Sequence, residues 1–448
     1  MQPRHIAVIG SGISGLSAAW LLSQRHRVTL IEADNRPGGH SNTVDCDIDG
    51  RDVAVDTGFI VYNPPAYPNL AALFDHLGVP TAPSNMSFAV SMGNGAYEYA
   101  GSSLLQLVGQ AQNLLNPGHW SLMRDIPRFF KTTLAKLPSL PDDVTIAEFL
   151  RAEKYSDYFL NRHLLPMAGA IWSAAPGDMR DYPAKAFLKF FDNHGLLKLT
   201  NRPLWRTVRG GSREYVSRIM RDGLFETRLR TPIRSIRRTE SDVVVQSAEG
   251  EEQVYDDVVI AAHADQALAL LADASPEEGR VLGAFRYSRN RAILHRDERL
   301  MPKRRRLWSS WNYLSALPPA AASTSSVTYW MNALQPLPVK APVFVSLNPA
   351  EEPDHSRVLA EFDYAHPVFD PAAMAAQREL WKLQGLRRTW FCGAYFGSGF
   401  HEDGIQAGLA VAEQLGGVRR PWSVQGESGR IHLAATSAPS LRHPEAAG

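Results

Sequence analysis

The sequence predicts an α/β fold in which a nucleotide-binding domain is interrupted by two long insertions. The chain opens with an apolar run at residues 6–9, a glycine turn, apolar residues at helical spacing and a second apolar run at 28–31. This order is typical of a βαβ unit with parallel strands. Strand patterns return at residues 243–245 and 258–261, and residues 390–392 lead into a second glycine-rich turn and a helix. These separate pieces predict a single discontinuous domain.

The length, charge and cysteine content of the chain exclude several classes of protein. At roughly 150 residues per domain, 448 residues correspond to about two or three domains. The net charge of +1 argues against a dedicated nucleic-acid binder, and two cysteines exclude a disulfide scaffold and a Cys-rich metal or iron–sulfur site. No apolar run reaches about 18 residues, so we expect no transmembrane helix. The chain enters its first strand too early for a signal peptide, so we expect a cytoplasmic protein.

The insertions differ in character. Two short strands around Gly93-Asn94-Gly95 predict a hairpin, and residues 102–199 have a mostly helical pattern broken by prolines. Later strands are predicted at residues 292–294, 308–311, 327–331, 344–347 and 358–362. We therefore assign residues 1–90, 205–265 and 385–420 to the nucleotide-binding domain and residues 91–204 and 266–384 to a domain that faces substrate and membrane. Residues 421–448 form a C-terminal tail, which we expect to be frayed after Trp422.

The glycine turn predicts a dinucleotide site. Its sequence is Gly10-Ser11-Gly12-Ile13-Ser14-Gly15, and Glu32 follows the next strand 22 residues after Gly10. The glycines permit a tight turn and close approach of a pyrophosphate, whose charge the helix N-terminus favours. Glu32 is placed to accept hydrogen bonds from the ribose hydroxyls and would repel a 2′-phosphate, which disfavours NADP.

Four further segments resemble motifs of the glutathione-reductase-like flavoproteins, especially their amine oxidase branch: Arg36-Pro37-Gly38-Gly39, Asp56-Thr57-Gly58-Phe59, Gly393-Ala394-Tyr395 and Glu402-Asp403-Gly404-Ile405-Gln406. The resemblance implies a Rossmann FAD domain and an amine-oxidase-like substrate domain, built from a helical insertion and a mixed β-sheet. It also implies non-covalent FAD held by residues Gly10, Ser11, Gly12, Ile13, Ser14, Gly15, Glu32, Ala33, Gly39, His40, Ser41, Gly58, Phe59, Ile60, Ile233, Gly393, Gly404, Ile405 and Gln406. The chain departs from the pattern in two places. Ala394 stands where many relatives have an acidic residue, and His40 stands where amine oxidases have arginine.

A narrower resemblance extends from residue 6 to residue 422. The chain is similar to flavoproteins associated with cyclopropane-fatty-acid synthases, a group that includes a flavin-dependent fatty acyl desaturase of furan fatty acid biosynthesis. The strings that carry it are Gly39-His40-Ser41-Asn42-Thr43, Phe190-Phe191-Asp192-Asn193-His194-Gly195, Trp311-Asn312-Tyr313, Tyr329-Trp330-Met331-Asn332 and Gly399-Phe400-His401-Glu402-Asp403-Gly404. The resemblance implies that the protein dehydrogenates an unsaturated or methyl-branched acyl chain of a phospholipid. It also implies a cyclopropane-synthase-like methyltransferase as a partner. Two alternatives stay open: an amine oxidase, and a non-catalytic flavin-binding partner of such a synthase.

Three residues are candidates for catalysis. His194 lies in an apolar neighbourhood that would lower its pKa, as a general base requires, and Asp192 or Asn193 could set its tautomer. His401 and Tyr395 lie beside the expected flavin edge. We expect His263, His295 and His366 to be structural, because no histidine pair has metal-ligand spacing. No metal site is predicted, and no G-x-S-x-G elbow indicates a hydrolase.

Two locally basic segments suggest contact with a membrane. Residues 118–137 combine Arg124, Arg128, Lys131 and Lys136 with Trp120, Phe129 and Phe130, a composition suited to a helix at an anionic membrane surface. The alternative is a helix with its aromatic side chains in the core. Four consecutive cations at residues 303–306 must be solvated or paired with anions, and lipid phosphate is one such anion. We therefore expect a peripheral protein at the inner membrane face.

Overall fold

The computed structural model describes residues 2–172, 176–197, 202–316 and 326–433, and it contains the α/β fold that the sequence predicts. Its strands are β1 His5–Ile9, β2 Arg27–Ile31, β3 Thr43–Asp47, β4 Asp52–Asp56, β5 Thr81–Pro83, β6 Phe88–Met92, β7 Tyr97–Ala100, β8 Arg206–Val208, β9 Glu226–Arg228, β10 Ile233–Arg238, β11 Val243–Ser247, β12 Glu252–Tyr255, β13 Asp257–Ile260, β14 Arg286–His295, β15 Trp311–Ser315, β16 Ser326–Trp330, β17 Phe344–Leu347, β18 Val358–Val368 and β19 Thr389–Phe391.

Fifteen helices are present in the described part of the chain. They are α1 Ile13–Leu22, α2 Pro68–His76, α3 Leu104–Val108, α4 Pro117–Lys136, α5 Ile146–Ala152, α6 Asp157–Phe159, α7 Leu165–Trp172, α8 Pro176–Arg180, α9 Ala184–Asn193, α10 Arg213–Asp222, α11 Ala264–Leu270, α12 Pro276–Leu282, α13 Met331–Leu334, α14 Pro371–Gln377 and α15 His401–Gly416. One π-helical turn, Leu160–Leu164, joins α6 to α7. Over the described ranges, no helix is long and apolar enough to cross a bilayer.

A five-stranded parallel sheet organises the first domain, in the order β19-β13-β1-β2-β9. Its central strands are apolar and covered on both sides, as parallel strands require. Helix α1 is buried along its whole length, because it packs between this sheet and α15. The close crossing of α1 and α15 depends on Gly408, where a Cβ would lie 2.2 Å from the Ser14 carbonyl oxygen.

The substrate domain combines a mixed sheet with helices α3 to α9. The sheet has seven strands in the order β18-β14-β17-β16-β15-β6-β7, and β6 and β7 form the predicted hairpin around Gly93. The expected strand at residues 308–311 is wrong in its position, since β15 begins at Trp311. Ser310 is held instead by reciprocal hydrogen bonds with Ser87, which brings β15 into register beside β6. The predicted domain boundaries themselves stay a prediction.

Helix α4 matches the interfacial helix that its composition suggests only in part. Phe129 is only 1% exposed and belongs to the core of the substrate domain, whereas Trp120 is 51% exposed. Arg128 lies over the ring of Tyr155 at 4.3 Å and donates to the Lys154 carbonyl oxygen at 3.3 Å. Phe129 therefore cannot reach a membrane surface, because the helical period turns it toward the core.

The basic run at residues 303–306 is largely held by the protein itself. Arg304 pairs with the buried carboxylate of Glu98 at 2.8 Å, and the Lys303 amide donates to the same carboxylate at 2.7 Å. Arg306 donates to the Gly109 carbonyl oxygen at 2.7 Å. The sequence predicts that this run is solvated or paired with anions, and the Glu98 carboxylate is its main anionic partner.

The segment after Trp422 is more ordered than the sequence suggests. Trp422 stacks on Trp20 at 5.8 Å between ring centroids, and Ile431 is buried in the core of the first domain. The Arg430 amide donates to the side-chain oxygen of Gln406 at 3.0 Å. The expectation of fraying is therefore wrong for residues 423–433, and residues 434–448 lie outside the described residues.

Candidate active site

One cavity of about 1,510 Å³ extends from the carboxyl ends of β1 and β2 into the substrate domain, between the mixed sheet and helices α3, α4 and α7. It exceeds the roughly 300–1,000 Å³ of an ordinary small-molecule site. The glycine turn lines one end, and helices and strands of the substrate domain line the other. The cavity therefore has room for a nucleotide cofactor at one end and a second molecule at the other.

The glycine turn forms an open cradle. Gly10 has a φ of +99°, and a Cβ there would lie 2.7 Å from the Ala261 carbonyl oxygen, so only glycine fits. A Cβ on Gly12 would instead meet no heavy atom within 4 Å, and Gly12 faces the cavity at the start of α1. The free space at Gly12 and the helix N-terminus together suit a pyrophosphate.

Glu32 lines the same end of the cavity, directly after β2. One of its carboxylate oxygens accepts from the Ser11 amide at 2.8 Å and from the Ser11 hydroxyl at 2.5 Å, and the other accepts from the Asp34 amide at 2.9 Å. The carboxylate thus also holds the glycine turn in place. Its expected contact with a ribose stays a prediction.

Most residues predicted to bind the cofactor share this cavity. Those that line it are Gly10, Ser11, Gly12, Ile13, Ser14, Glu32, Ala33, Gly39, His40, Gly58, Phe59, Ile60, Ile233 and Gly393. The structure thus brings together segments separated by several hundred residues, as the sequence predicts.

Five predicted cofactor residues do not line the cavity: Gly15, Ser41, Gly404, Ile405 and Gln406. Gly15 and Gly404 are packing positions, because a Cβ would lie 1.9 Å from the Gly10 carbonyl oxygen in the first case and 2.8 Å from the Ser14 hydroxyl in the second. Ile405 is fully buried in the core. Gly15, Gly404 and Ile405 thus serve the packing of α1 and α15, and contact of the α15 amides with a flavin stays a prediction.

His194 is the predicted base whose geometry suits that role. Its Nδ1 lies 2.9 Å from the Phe190 carbonyl oxygen, which can only accept, so Nδ1 carries the proton and Nε2 has the lone pair. The Nε2 atom is buried without a hydrogen-bond partner in the described structure, and the residue lines the cavity. Burial lowers the His194 pKa to about 3, as expected from its apolar surroundings. The tautomer is set by Phe190, not by Asp192 or Asn193 as the sequence suggested.

His401 is engaged in a polar cluster. Its ring stacks on Phe59 at 3.7 Å, and its Nε2 lies 3.0 Å from the Ser41 hydroxyl and 3.2 Å from the Tyr215 hydroxyl. Burial lowers the His401 pKa to about 3. Because Nε2 already has two hydroxyl neighbours, it is less available to a substrate proton than the Nε2 of His194.

Tyr395 is buried but lines the cavity, whereas Cys392 lies in the core. The Tyr395 ring packs under Gly393 and 5.2 Å from Phe285, and its buried hydroxyl has no partner among the described atoms. The Cys392 thiol is fully buried, does not line the cavity, and has its pKa raised by burial. Non-covalent attachment of the cofactor stays a prediction.

Sequence reasoning missed a histidine cluster on the cavity wall. The His40 ring lies 4.9 Å from Tyr364 and 5.3 Å from His366, and His263 also lines the cavity. The His366 Nδ1 accepts from the Asn290 amide group at 3.0 Å, and burial lowers the His366 pKa to about 4. Tyr364 and His366 are two residues apart in β18 and so lie on the same face of the strand, a spacing that could have identified them.

His295 is structural, as predicted. It lies 2.8 Å from the Ser346 hydroxyl and accepts at Nδ1 from the Asp297 amide at 3.0 Å. In the part of the chain that the structure covers, no group of histidine, cysteine or acidic side chains could hold a metal ion.

The substrate end of the cavity is mainly apolar, although the exposed Arg202 is among its lining residues. Aromatic rings dominate its inner wall, where Phe190 lies 4.5 Å from Trp172 and 4.8 Å from Phe400. Towards α4 the lining residues are Met123, Ile126, Pro127 and Phe130. Of the described residues that line the cavity, Glu32 at the nucleotide end is the single acidic one. The substrate end thus offers no carboxylate to a cationic ligand.

A 43-residue segment is 54% identical to the L-amino-acid oxidase of Bungarus fasciatus, and this match covers 9% of the chain and 8% of that relative. The chain therefore matches only a small part of the length of its curated relatives. The fold is similar to that of the CLA-producing fatty acid isomerase from P. acnes, with a TM-score of 0.63, 15% identity and coverage of 92% of this chain and 97% of that one.

The fold is equally similar to that of cyclohexylamine oxidase from Brevibacterium oxydans IH-35A. The TM-score is 0.61 at 17% identity, with coverage of 92% of this chain and 99% of that one. The family described as flavin containing amine oxidoreductase matches residues 13–291, which is more than half of the chain. The chain therefore belongs to the flavin-containing amine oxidoreductase family, and its cofactor is FAD.

Proposed function

We propose that the protein is an FAD-dependent oxidoreductase that introduces a double bond into an unsaturated or methyl-branched acyl chain of a phospholipid. The observation that carries the proposal is the apolar substrate compartment, which has aromatic and aliphatic walls and no carboxylate. An acyl chain gains free energy from such walls, whereas an ammonium group would be desolvated there without a counter-ion.

The glycine turn and Glu32 would hold the FAD, which supplies an acceptor for a hydride from the carbon beside the existing double bond. His194 Nε2 then takes a proton from the adjacent carbon, and the electron pair of that C–H bond forms the new alkene. The Phe190 carbonyl keeps the proton on Nδ1, so that the lone pair stays on Nε2. Trp172, Phe190 and Phe400 exclude water from the reacting carbons.

The low pKa of His194 has two consequences for this role. The imidazole is neutral at pH 7, so its lone pair is available, but its basicity is modest. Proton transfer is therefore favoured only when the substrate proton has been made acidic by hydride loss from the neighbouring carbon. This order of events agrees with an allylic substrate.

Anaerobic stopped-flow bleaching of the bound flavin tests the proposal. A methyl-branched unsaturated phosphatidylglycerol in micelles should bleach the flavin, whereas butylamine, putrescine and L-leucine should not. Bleaching by the amines alone would assign the protein to amine oxidation, with which its family membership is equally compatible. Absence of bleaching by every compound would support a non-catalytic partner of a cyclopropane synthase or methyltransferase.

His194→Gln tests the base. The variant should retain FAD and bind substrate while flavin reduction slows by roughly 10²- to 10⁴-fold, the usual loss for an acid–base group. His401→Gln is the matched control, since its Nε2 is engaged by Ser41 and Tyr215. Wild-type reduction rates in His194→Gln would remove this residue from the mechanism.

A further inference from the structure

An exposed apolar ridge lies on the outer side of the substrate domain. Leu104 and Leu105 on α3, Leu115 on the following turn and Trp120 on α4 are 79%, 74%, 86% and 51% exposed. We propose that this ridge seats the protein on an anionic phospholipid bilayer and opens its cavity to the lipid. The inference deepens the proposed function and rests on it for the identity of the chain that enters.

The segment that carries the ridge has no charged side chains. Between residues 101 and 123 there is no aspartate, glutamate, lysine or arginine. The Trp120 indole N–H donates to the Leu114 carbonyl oxygen at 2.9 Å, which fixes the ring beside the leucine turn. Entry of this segment into the headgroup region would therefore desolvate no ion, and its indole is already partnered.

Cations flank the ridge on the adjoining helix. On α4, Trp120, Arg124 and Lys131 lie within about 40° of one another around the axis at 3.6 residues per turn, and all three are exposed. The acidic residue of this helix, Asp125, is fully buried and accepts from Arg124 at 3.0 Å. Asp125 offsets the charge of Arg124, so Lys131 carries the net positive charge of this exposed face, which complements an anionic membrane surface.

The ridge also borders an opening of the cavity. Three residues are exposed and also line the cavity: Ser103, Leu104 and Leu204. At the nucleotide end the exposed lining residues include Ala33, Gly39, Gln266 and Ala269. An acyl chain that enters beside Leu104 would pass from the bilayer into an apolar compartment without crossing water.

A bilayer suits this surface better than a second copy of the chain. Two copies related by a two-fold axis would place the same patch against itself, so that the cations of both copies would lie at one contact. Like charges at a desolvated contact oppose association. Anionic headgroups instead neutralise the same cations.

Co-sedimentation with vesicles tests the proposal. The holoenzyme should sediment with vesicles of phosphatidylglycerol and phosphatidylcholine, and less with phosphatidylcholine alone. The double substitution Leu105→Ser and Leu115→Ser should weaken this partitioning by on the order of tenfold per leucine. Neither residue lines the cavity, so FAD content and flavin bleaching by substrate in micelles should be unchanged.

The matched control is Leu224→Ser with Leu386→Ser, which removes two leucines that are 70% and 52% exposed in the nucleotide-binding domain. This variant should sediment like the wild type. Equal sedimentation of the ridge variant and the wild type would overturn the proposal, as would wild-type protein that stays in the supernatant. Conversion of a dimer to a monomer by the ridge variant, measured by analytical ultracentrifugation, would assign the ridge to a second copy instead. Sedimentation and analytical ultracentrifugation do not depend on turnover, so the docking surface and the proposed reaction can fail separately.

Discussion

Replacement of Gly12 should separate cofactor binding from folding. Gly12 has φ −64° and ψ 175°, an extended conformation that any residue adopts, and a Cβ there meets no heavy atom within 4 Å. The side chain of Gly12→Val therefore occupies cavity space that the pyrophosphate would need. Gly408 is the matched control, because a Cβ there would lie 2.2 Å from the Ser14 carbonyl oxygen at the α1–α15 crossing.

The two substitutions should have opposite consequences. Gly12→Val costs about 1 kcal/mol of apoprotein stability at most, from the poorer N-cap. Displacement of the phosphate loses up to about 2 kcal/mol of interaction with the helix N-terminus. One lost hydrogen bond to the charged phosphate adds about 1.5–3 kcal/mol. At about 1.4 kcal/mol per factor of ten, the FAD Kd should rise on the order of 10³-fold. Gly408→Ala should cost about 3 kcal/mol of stability through overpacking.

Flavin fluorescence titration of the apoprotein measures the Kd, and urea unfolding of the same apoprotein measures stability. We expect Gly12→Val to lose FAD while its unfolding midpoint stays near that of the wild type. Gly408→Ala should be the less stable variant and should bind FAD whenever it is folded. Wild-type FAD affinity in Gly12→Val would refute the assignment of this space to the pyrophosphate. A loss of stability as large as that of Gly408→Ala would refute the claim that the space is open.

Three further predictions concern charge and burial. The folded-state pKa of His194, about 3, lies below its unfolded value near 6.5, so the unfolded state binds more protons below pH 6.5 and acid removes stability. Between pH 6.5 and 5.0 the free energy of unfolding, measured in urea, should therefore fall by about 2 kcal/mol more for the wild type than for His194→Gln. The same pH dependence in both proteins would contradict a buried neutral imidazole at this position. Arg430→Met should destabilise the protein by about 3 kcal/mol because it leaves the buried Asp403 carboxylate without its cation, whereas Arg419→Met at an exposed pair should cost under about 1 kcal/mol in the same thermal unfolding assay. The fully buried Cys392 should resist a thiol reagent in the native protein and react after unfolding, and rapid native labelling at this position would show that the core around it opens.

Local sequence identified the parts of the protein whose chemistry depends on neighbours in the chain. The glycine turn and Glu32 follow from the requirements of a tight turn and a helix N-terminus, and the hairpin around Gly93 follows from residues that tolerate positive φ. The fold class follows from apolar runs of strand length alternating with helical periodicity. His194 was likewise recognisable as a buried imidazole, because its aromatic neighbours are adjacent in sequence.

Contacts that depend on how the elements end and pack could not be predicted from local sequence. The carbonyl that orients His194 belongs to Phe190, a residue nearby in the chain, but the choice between it and Asp192 depends on how α9 ends. The cluster of His40 with His366 joins residues more than 300 positions apart through the seating of β18. The assignment of Phe129 to the core and of Trp120 to the surface depends on which side of α4 the rest of the domain covers.

The sequence by itself determined the parallel-sheet fold and the dinucleotide turn, because both depend on residue type and short-range spacing. The tertiary structure alone decided that residues 423–433 pack against the first domain and that Gly404 is a helix-packing glycine. It also decided that the exposed Leu104 of α3 lines the cavity. These features depend on which surfaces remain uncovered once the elements have packed, and packing is a property of the whole chain.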